Sequence, residues 1–230
     1  MSRPILVFGQ SGAGKSYAIK TLDPNKTIVI DADKKSFLPF EGSRKFYGKE
    51  KGNFFSTNSL DSIQKSVEKV GKDEKFAHVN TLVIDGISKA LTVYEATYNR
   101  RYNPKNNFEA YQMLKEKTVD LLDTIKNQRD DLNIIIIGNA QTADPYVNTS
   151  LDRLRVPGRF LKDSYEVESD FNYVFYAKVI DGRHIFETYP NRSTAKTPEN
   201  SFPPEIDNDF FYITKAIDAY EGGEHIAENV

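Results

Sequence analysis

A chain of 230 residues, 39% hydrophobic and 28% charged, is long enough for one α/β domain with a sizeable core or at most two small ones. The lack of cysteine excludes a disulfide framework, a thiolate zinc site and a cysteine nucleophile, and no apolar stretch approaches membrane-spanning length. The net charge of −2 hides a split: residues 199–230 hold eight acids and one base, which leaves about +5 on residues 1–198. An acidic tail on a basic body suits a protein that meets nucleic acid and tempers the contact, and it equally suits a solvated terminus.

The first strand begins within three residues of Met1, so no signal peptide fits. The apolar run Pro4 to Phe8 ends at Gly9, and Gly9-Gln10-Ser11-Gly12-Ala13-Gly14-Lys15-Ser16 matches G-x-x-x-x-G-K-[ST] without a gap. A loop whose backbone N–H groups all face phosphate oxygens needs glycines, which accept positive φ and carry no Cβ. Lys15 then reaches the β- and γ-phosphates of ATP, the Ser16 hydroxyl ligates Mg²⁺, and residues 9–17 through Tyr17 form the nucleotide cradle. Tyr17 to Leu22 is expected to be helical, its N-terminus adding positive dipole at the phosphates.

Thr27 to Ile30 is a short strand that ends in Asp31-Ala32-Asp33. A carboxylate there can position or deprotonate a water for attack on the γ-phosphate. Alternation puts both acids on one face, so Asp31 and Asp33 both remain candidates. Residues 41–58 are polar and aromatic, irregular with one short strand. Ser59 to Val70 has apolar residues at helical spacing, with Gly71 as its stop.

Thr81 to Asp85 is a second buried strand ending in an acid, and Asp85 is placed to hold Mg²⁺ opposite Ser16. A helix follows with Ile87, Leu91, Tyr94 and Tyr98 on one face, and Asn99 to Asn107 is expected to be a basic loop. Phe108 to Asn127 is a long amphipathic helix. Ile134 to Ile137 is the most apolar strand, closed by Gly138-Asn139-Ala140-Gln141. Asn139 and Gln141 stand where an amide can contact a γ-phosphate.

Residues 151–162 carry Arg153, Arg155, Arg159 and Lys162 within a connection of roughly thirty residues, a length that favours a functional or disordered loop. Such a loop can grip a nucleic-acid backbone or swing over phosphates. Tyr173 to Val179 and His184 to Thr188 flank Asp181-Gly182, a hairpin signal. Arg192 and Lys196 follow and are candidate fingers for a neighbouring subunit's nucleotide. The three histidines lack ligand spacing, so no zinc site is expected. Together these elements predict a mostly parallel sheet with helices on both faces and a C-terminal antiparallel extension. One domain spans residues 1–215, followed by an acidic tail at 216–230.

The ordered set GQSGAGKS, IVIDAD, TLVIDGIS, IIIIGNAQT, PGRF with DFNYVFYAKV, and TAKTPEN resembles the phage-encoded RecA-like P-loop ATPases, and more narrowly those of single-strand annealing and recombination. The likeness covers roughly residues 3–205. It implies a RecA-like P-loop fold, Mg²⁺-dependent ATP hydrolysis, action on single-stranded DNA, and the cytoplasm of an infected bacterium. It also implies a homo-oligomer with inter-subunit nucleotide sites and single-strand-binding or replication proteins as partners. Lys15 and Ser16 match the phosphate loop, Asp85 the metal-binding acid and Gln141 the γ-phosphate-sensing amide. Asp33 falls where the family has a catalytic Glu; the shorter side chain implies slow hydrolysis or a binding-only switch. Lys196 matches a late basic position, whereas Thr197 stands where a second base is expected. The chain starts almost on its first strand, without the N-terminal segment by which filament-forming recombinases dock, so such filaments are not expected. Two rivals stand beside this reading. One is a nucleotide or nucleoside kinase with residues 153–162 as a lid; the other is a non-catalytic ATP-dependent adaptor.

Overall fold

The computed structural model describes residues 1–102, 107–142, 151–157 and 165–223. The phosphate-loop strand β1 (Arg3–Gly9) sits inside a mixed sheet whose described strands number nine. In chain order the others are β2 (Thr27–Asp31), β3 (Phe54–Ser56), β4 (Thr81–Asp85), β5 (Asn133–Thr142), β6 (Asp152–Leu154), β7 (Tyr173–Ile180), β8 (Arg183–Glu187) and β9 (Glu205–Asp207). Their spatial order is β3-β2-β4-β5-β1-β7-β8-β9, with β6 paired to the far end of β5. The strands from β3 to β7 run parallel, and β8 and β9 close the sheet antiparallel, the extension that the hairpin signal predicts.

Helices cover both faces because the middles of the central strands, residues 5–8, 28–30, 82–84 and 134–137, are apolar and buried at successive positions. Leu6, Phe8, Ile30, Ile84 and Ile136 pack beneath α2 (Leu60–Lys72), α3 (Ile87–Tyr102) and α4 (Asn107–Lys126). Their alternates Ile5, Val7, Val29, Val83 and Ile137 pack beneath a 3-10 helix (Tyr17–Thr21) and the C-terminal helix Phe210–Glu221. A short helix, α1 (Ser43–Phe46), lies before β3, and the C-terminal helix is α5.

Five expectations change. The helix after the phosphate loop is a single 3-10 segment, ending at Leu22 just ahead of Asp23-Pro24, where proline forces extended backbone on its predecessor. An α-helix dipole is therefore not what the loop presents to phosphate. Gly71 lies inside α2 rather than ending it, and a Cβ there would collide with the Gln128 side chain, so its smallness serves close packing. Arg100 and Arg101 ride on α3, which runs to Tyr102, not on a loop. Gly138 to Gln141 continue β5, because β6 supplies hydrogen-bond partners beyond the reach of β4. Finally, the boundary expected at residue 215 falls inside α5. Asp209 caps this helix by accepting from the Tyr212 N–H at 3.0 Å, and Phe210, Ile213, Ala216 and Ile217 are buried. Arg3 on β1 pairs with Asp218 and Glu221, so two acids assigned to a tail hold this helix to the sheet.

Candidate functional site

The carboxyl ends of β1, β2, β4 and β5 meet at a cavity of about 820 Å³. Ligands in open α/β sheets bind on this side of the strands. Ser11, Gly12, Gly14, Lys15, Ser16 and Tyr17 form one wall, Asp33 and Lys35 another, and Asp85, Gly86, Gly138 and Asn139 the floor. Phe37 and Pro39 add an apolar rim; Phe37 is 51% exposed and lies under the Arg44 guanidinium at 5.2 Å.

The phosphate loop is shaped by its glycines. Gly12 and Gly14 hold φ of 84° and 90°, which side-chain-bearing residues rarely adopt. Gly9 has an ordinary φ but no room, since a Cβ would overlap the Ala177 carbonyl on β7. Lys15 is buried, and its ammonium donates to the Gly9 and Gln10 carbonyls at 2.8 Å each. Burial lowers its pKa to about 8, against the opposing pull of the Asp85 charge. Asp85 is 5% exposed; burial raises its pKa to about 6, opposed by the Ser16 hydroxyl within hydrogen-bond reach and by the Lys35 charge. A buried carboxylate facing a serine hydroxyl is an all-oxygen donor pair and fits Mg²⁺, which takes few protein ligands alongside phosphate oxygens. No cluster of three or more His, Cys, Asp or Glu poised for a metal occurs among the described residues.

The two acids after β2 separate in role. Asp31 Oδ2 accepts from the Ser36 N–H and the Ser56 hydroxyl, both at 2.9 Å, so this carboxylate ties β2 to the following loop and to β3. Asp33 lines the cavity and pairs with Lys35 at 2.7 Å. The two amides also separate. Asn139 is a lining residue, whereas Gln141 lies farther along β5 opposite Arg153 of β6, its Nε2 buried without a hydrogen-bond partner.

Among the basic candidates, Arg153 is on β6 and the Arg155 N–H donates to the Asn139 carbonyl at 2.7 Å. Arg159 and Lys162 lie outside the described residues. Arg192 is exposed at φ 62°, and Lys196 pairs through its backbone with Val174 of β7. Val174 is level with Leu6, three positions before Gly9, or about 10 Å down the strand from the phosphate loop. Neither Arg192 nor Lys196 lines the cavity.

His184 and Asn208 are site neighbours that the residue patterns did not single out. β7 and β8 extend past the end of β1, so His184 borders the cavity, and a Cβ on Gly14 would meet its Nδ1 at 2.9 Å. Asn208, just after β9, lies against the same glycine with both amide atoms buried and unpartnered. The hairpin length was the available signal.

No described helix is long and apolar enough to cross a membrane. No curated protein matches the chain. The family model for the AAA domain matches residues 1–200, most of the chain and all of the phosphate-loop, acid and amide positions above. The chain therefore belongs to the AAA domain family, P-loop proteins that bind and hydrolyse ATP.

Proposed function

We propose that this chain is a Mg²⁺-dependent ATPase that acts on single-stranded DNA in phage recombination, annealing or replication, in the cytoplasm of an infected bacterium. One observation carries the DNA reading. The basic segment begins as β6, laid directly on β5, and the Arg155 N–H is bonded to the carbonyl of Asn139, itself a lining residue of the cavity. β5, which ends at the cavity, and the arginine-bearing β6 paired to it would give ATP and a polyanion a shared element. The arginine and lysine side chains at 153, 155, 159 and 162 would grip the DNA backbone.

In this reading the loop amides of residues 9–17 hold the phosphates, and the Lys15 ammonium leaves its carbonyl partners for β- and γ-phosphate oxygens. Ser16 and Asp85 would hold Mg²⁺, which supplies charge neutralisation at the phosphates. Asp33 orients the attacking water and accepts its proton as the bond from γ-phosphorus to the β,γ-bridging oxygen breaks. Gln141, two residues beyond Asn139 on β5 and opposite Arg153, would report phosphate loss to DNA-contacting residues. Arg192 and Lys196 stand away from their own cavity and serve a neighbour's nucleotide in a homo-oligomer. Single-strand-binding or replication proteins are partners of the same kind of complex.

A second reading, an ATP-dependent adaptor that binds without turnover, is favoured by one feature: Lys35 occupies the carboxylate of Asp33. The test is DNA binding by the triple variant Arg153→Ala, Arg155→Ala, Arg159→Ala. Its affinity for a single-stranded oligonucleotide should fall and its salt dependence flatten. Unchanged affinity would move the DNA site elsewhere.

A further inference from the structure

Among the described residues two ammonium groups line the nucleotide cavity, and the phosphate-loop pattern accounts only for Lys15. The other, Lys35, is held on a backbone that is fixed on both sides. Lys34 and Ser36 adopt φ of 58° and 69°, left-handed conformations that persist in non-glycine residues only where surroundings impose them. Those surroundings are visible. The Ala32 N–H donates to the Asp85 carbonyl at 2.7 Å, and the Ser36 N–H donates to Asp31 Oδ2, which also holds Ser56. The loop from Ala32 to Ser36 is thus pinned to β4 at its start and to β2 and β3 at its end.

On this fixed base the Lys35 side chain is 59% exposed, and its Nζ sits 2.7 Å from Asp33 Oδ2, a carboxylate that is only 19% exposed. Among the described residues, the ammonium therefore has a rigid origin, a flexible stem and one ion-pair partner. We propose that Lys35 is a switching cation: it neutralises Asp33 until a nucleoside triphosphate binds, then transfers to a terminal-phosphate oxygen and leaves Asp33 unpaired beside that phosphate. The proposal rests on the cavity being a triphosphate site. A terminal phosphate carries more negative charge than one carboxylate and so outcompetes it for a mobile ammonium. A diphosphate ends one group short, and Lys35 stays on Asp33. The pair thus reads phosphate number, and the water-orienting carboxylate is released only when there is a bond to cut. A ligand shifts such an equilibrium only by its differential affinity for the two arrangements, which makes the difference between ATP and ADP the quantity to measure.

The experiment is equilibrium binding of fluorescent ATP and ADP analogues, with Mg²⁺, to wild type, Lys35→Ala, Lys35→Met and Lys35→Arg. Wild type should bind the triphosphate more tightly. Lys35→Ala and Lys35→Met should lose about tenfold in triphosphate affinity, the scale of one hydrogen bond to a charged group, and keep diphosphate affinity within about twofold. Lys35→Arg, which keeps the charge, should retain part of the preference. Equal weakening of both nucleotides, or no change in either, would overturn the switch. Wild type that binds neither nucleotide would overturn the triphosphate site itself, a distinct failure.

Discussion

Asp33 is wedged against the Cα of Gly86: a methyl group on that glycine would lie 2.6 Å from Asp33 Oδ1 and 2.8 Å from its backbone nitrogen. Gly86 holds φ 101°, so the turn after β4 passes closely beneath the loop after β2 only because no side chain intervenes. Gly86→Ala should displace Asp33 while leaving the phosphate loop intact. ATP turnover should fall at least tenfold, with nucleotide affinity changed by only a few fold. Steady-state ATPase assays alongside nucleotide titration check this; an unchanged turnover would place the water-orienting group elsewhere.

In the proposed site, Lys15 and Asp85 would set a pH window for nucleotide binding. Lys15, lowered to about 8 by burial, loses its charge above that pH, and Asp85, raised to about 6 by burial, gains a proton below that pH. Affinity for Mg²⁺–ATP should therefore peak between about pH 6 and 8 and decline on both sides. The alkaline limb is the sharper test because ATP itself no longer titrates there, and it should vanish in Lys15→Ala. The unliganded protein follows the same groups. Asp85 binds more protons folded than unfolded between about pH 4 and 6, so its contribution to stability is present at low pH and lost as pH rises through about 6. Lys15 binds fewer protons folded than unfolded between about pH 8 and 10, so its contribution rises with pH across that range. Nucleotide titrations and urea midpoints taken across about pH 4–10 measure both effects.

His184 reaches the cavity because the β7–β8 hairpin overhangs the end of β1. His184→Ala removes one hydrogen-bonding group from the wall beside Gly14 and should weaken ATP about fivefold, the scale of a single net hydrogen bond. Calorimetric titration with ATP checks it, and an unchanged dissociation constant would make the hairpin a bystander.

The phosphate loop, the strand acids and the parallel sheet were legible because each is local. The motif occupies consecutive residues, the buried strands are short apolar runs, and β2 and β4 each end in their own acid. What was illegible depended on partners distant in sequence. Gly71 looks like a helix stop until Gln128 is packed against it. β5 looks finished at Ile137 until β6 extends its ladder to Thr142. Asp31 and Asp33 share a face by alternation, and only the Ser36 and Ser56 hydrogen bonds to Asp31 leave Asp33 for the cavity. Composition hid α5, because its acidic exposed side made residues beyond 215 look like tail while Arg3, on β1, was drawing two of those acids onto the sheet.

The antiparallel extension is part of the core. Phe186 of β8 stacks on Phe210 of α5 with ring centroids 5.5 Å apart and planes at 13°, and both side chains are fully buried. Phe186→Ala should cost about 3–5 kcal/mol of folding stability, the range for deleting a buried phenyl ring. Urea unfolding measures it; a cost below about 1 kcal/mol would mean that β8 and α5 fold independently of the sheet.

We propose that ATP hydrolysis at Lys15, Asp33 and Asp85 is coupled to single-stranded DNA. The most direct measurement is the ATPase rate of wild type and Lys15→Ala, each with and without a single-stranded oligonucleotide at low salt. The wild-type rate should rise several-fold with DNA, and the Lys15→Ala rate should stay near background in both conditions. A wild-type rate indifferent to DNA, together with no DNA binding, would contradict it.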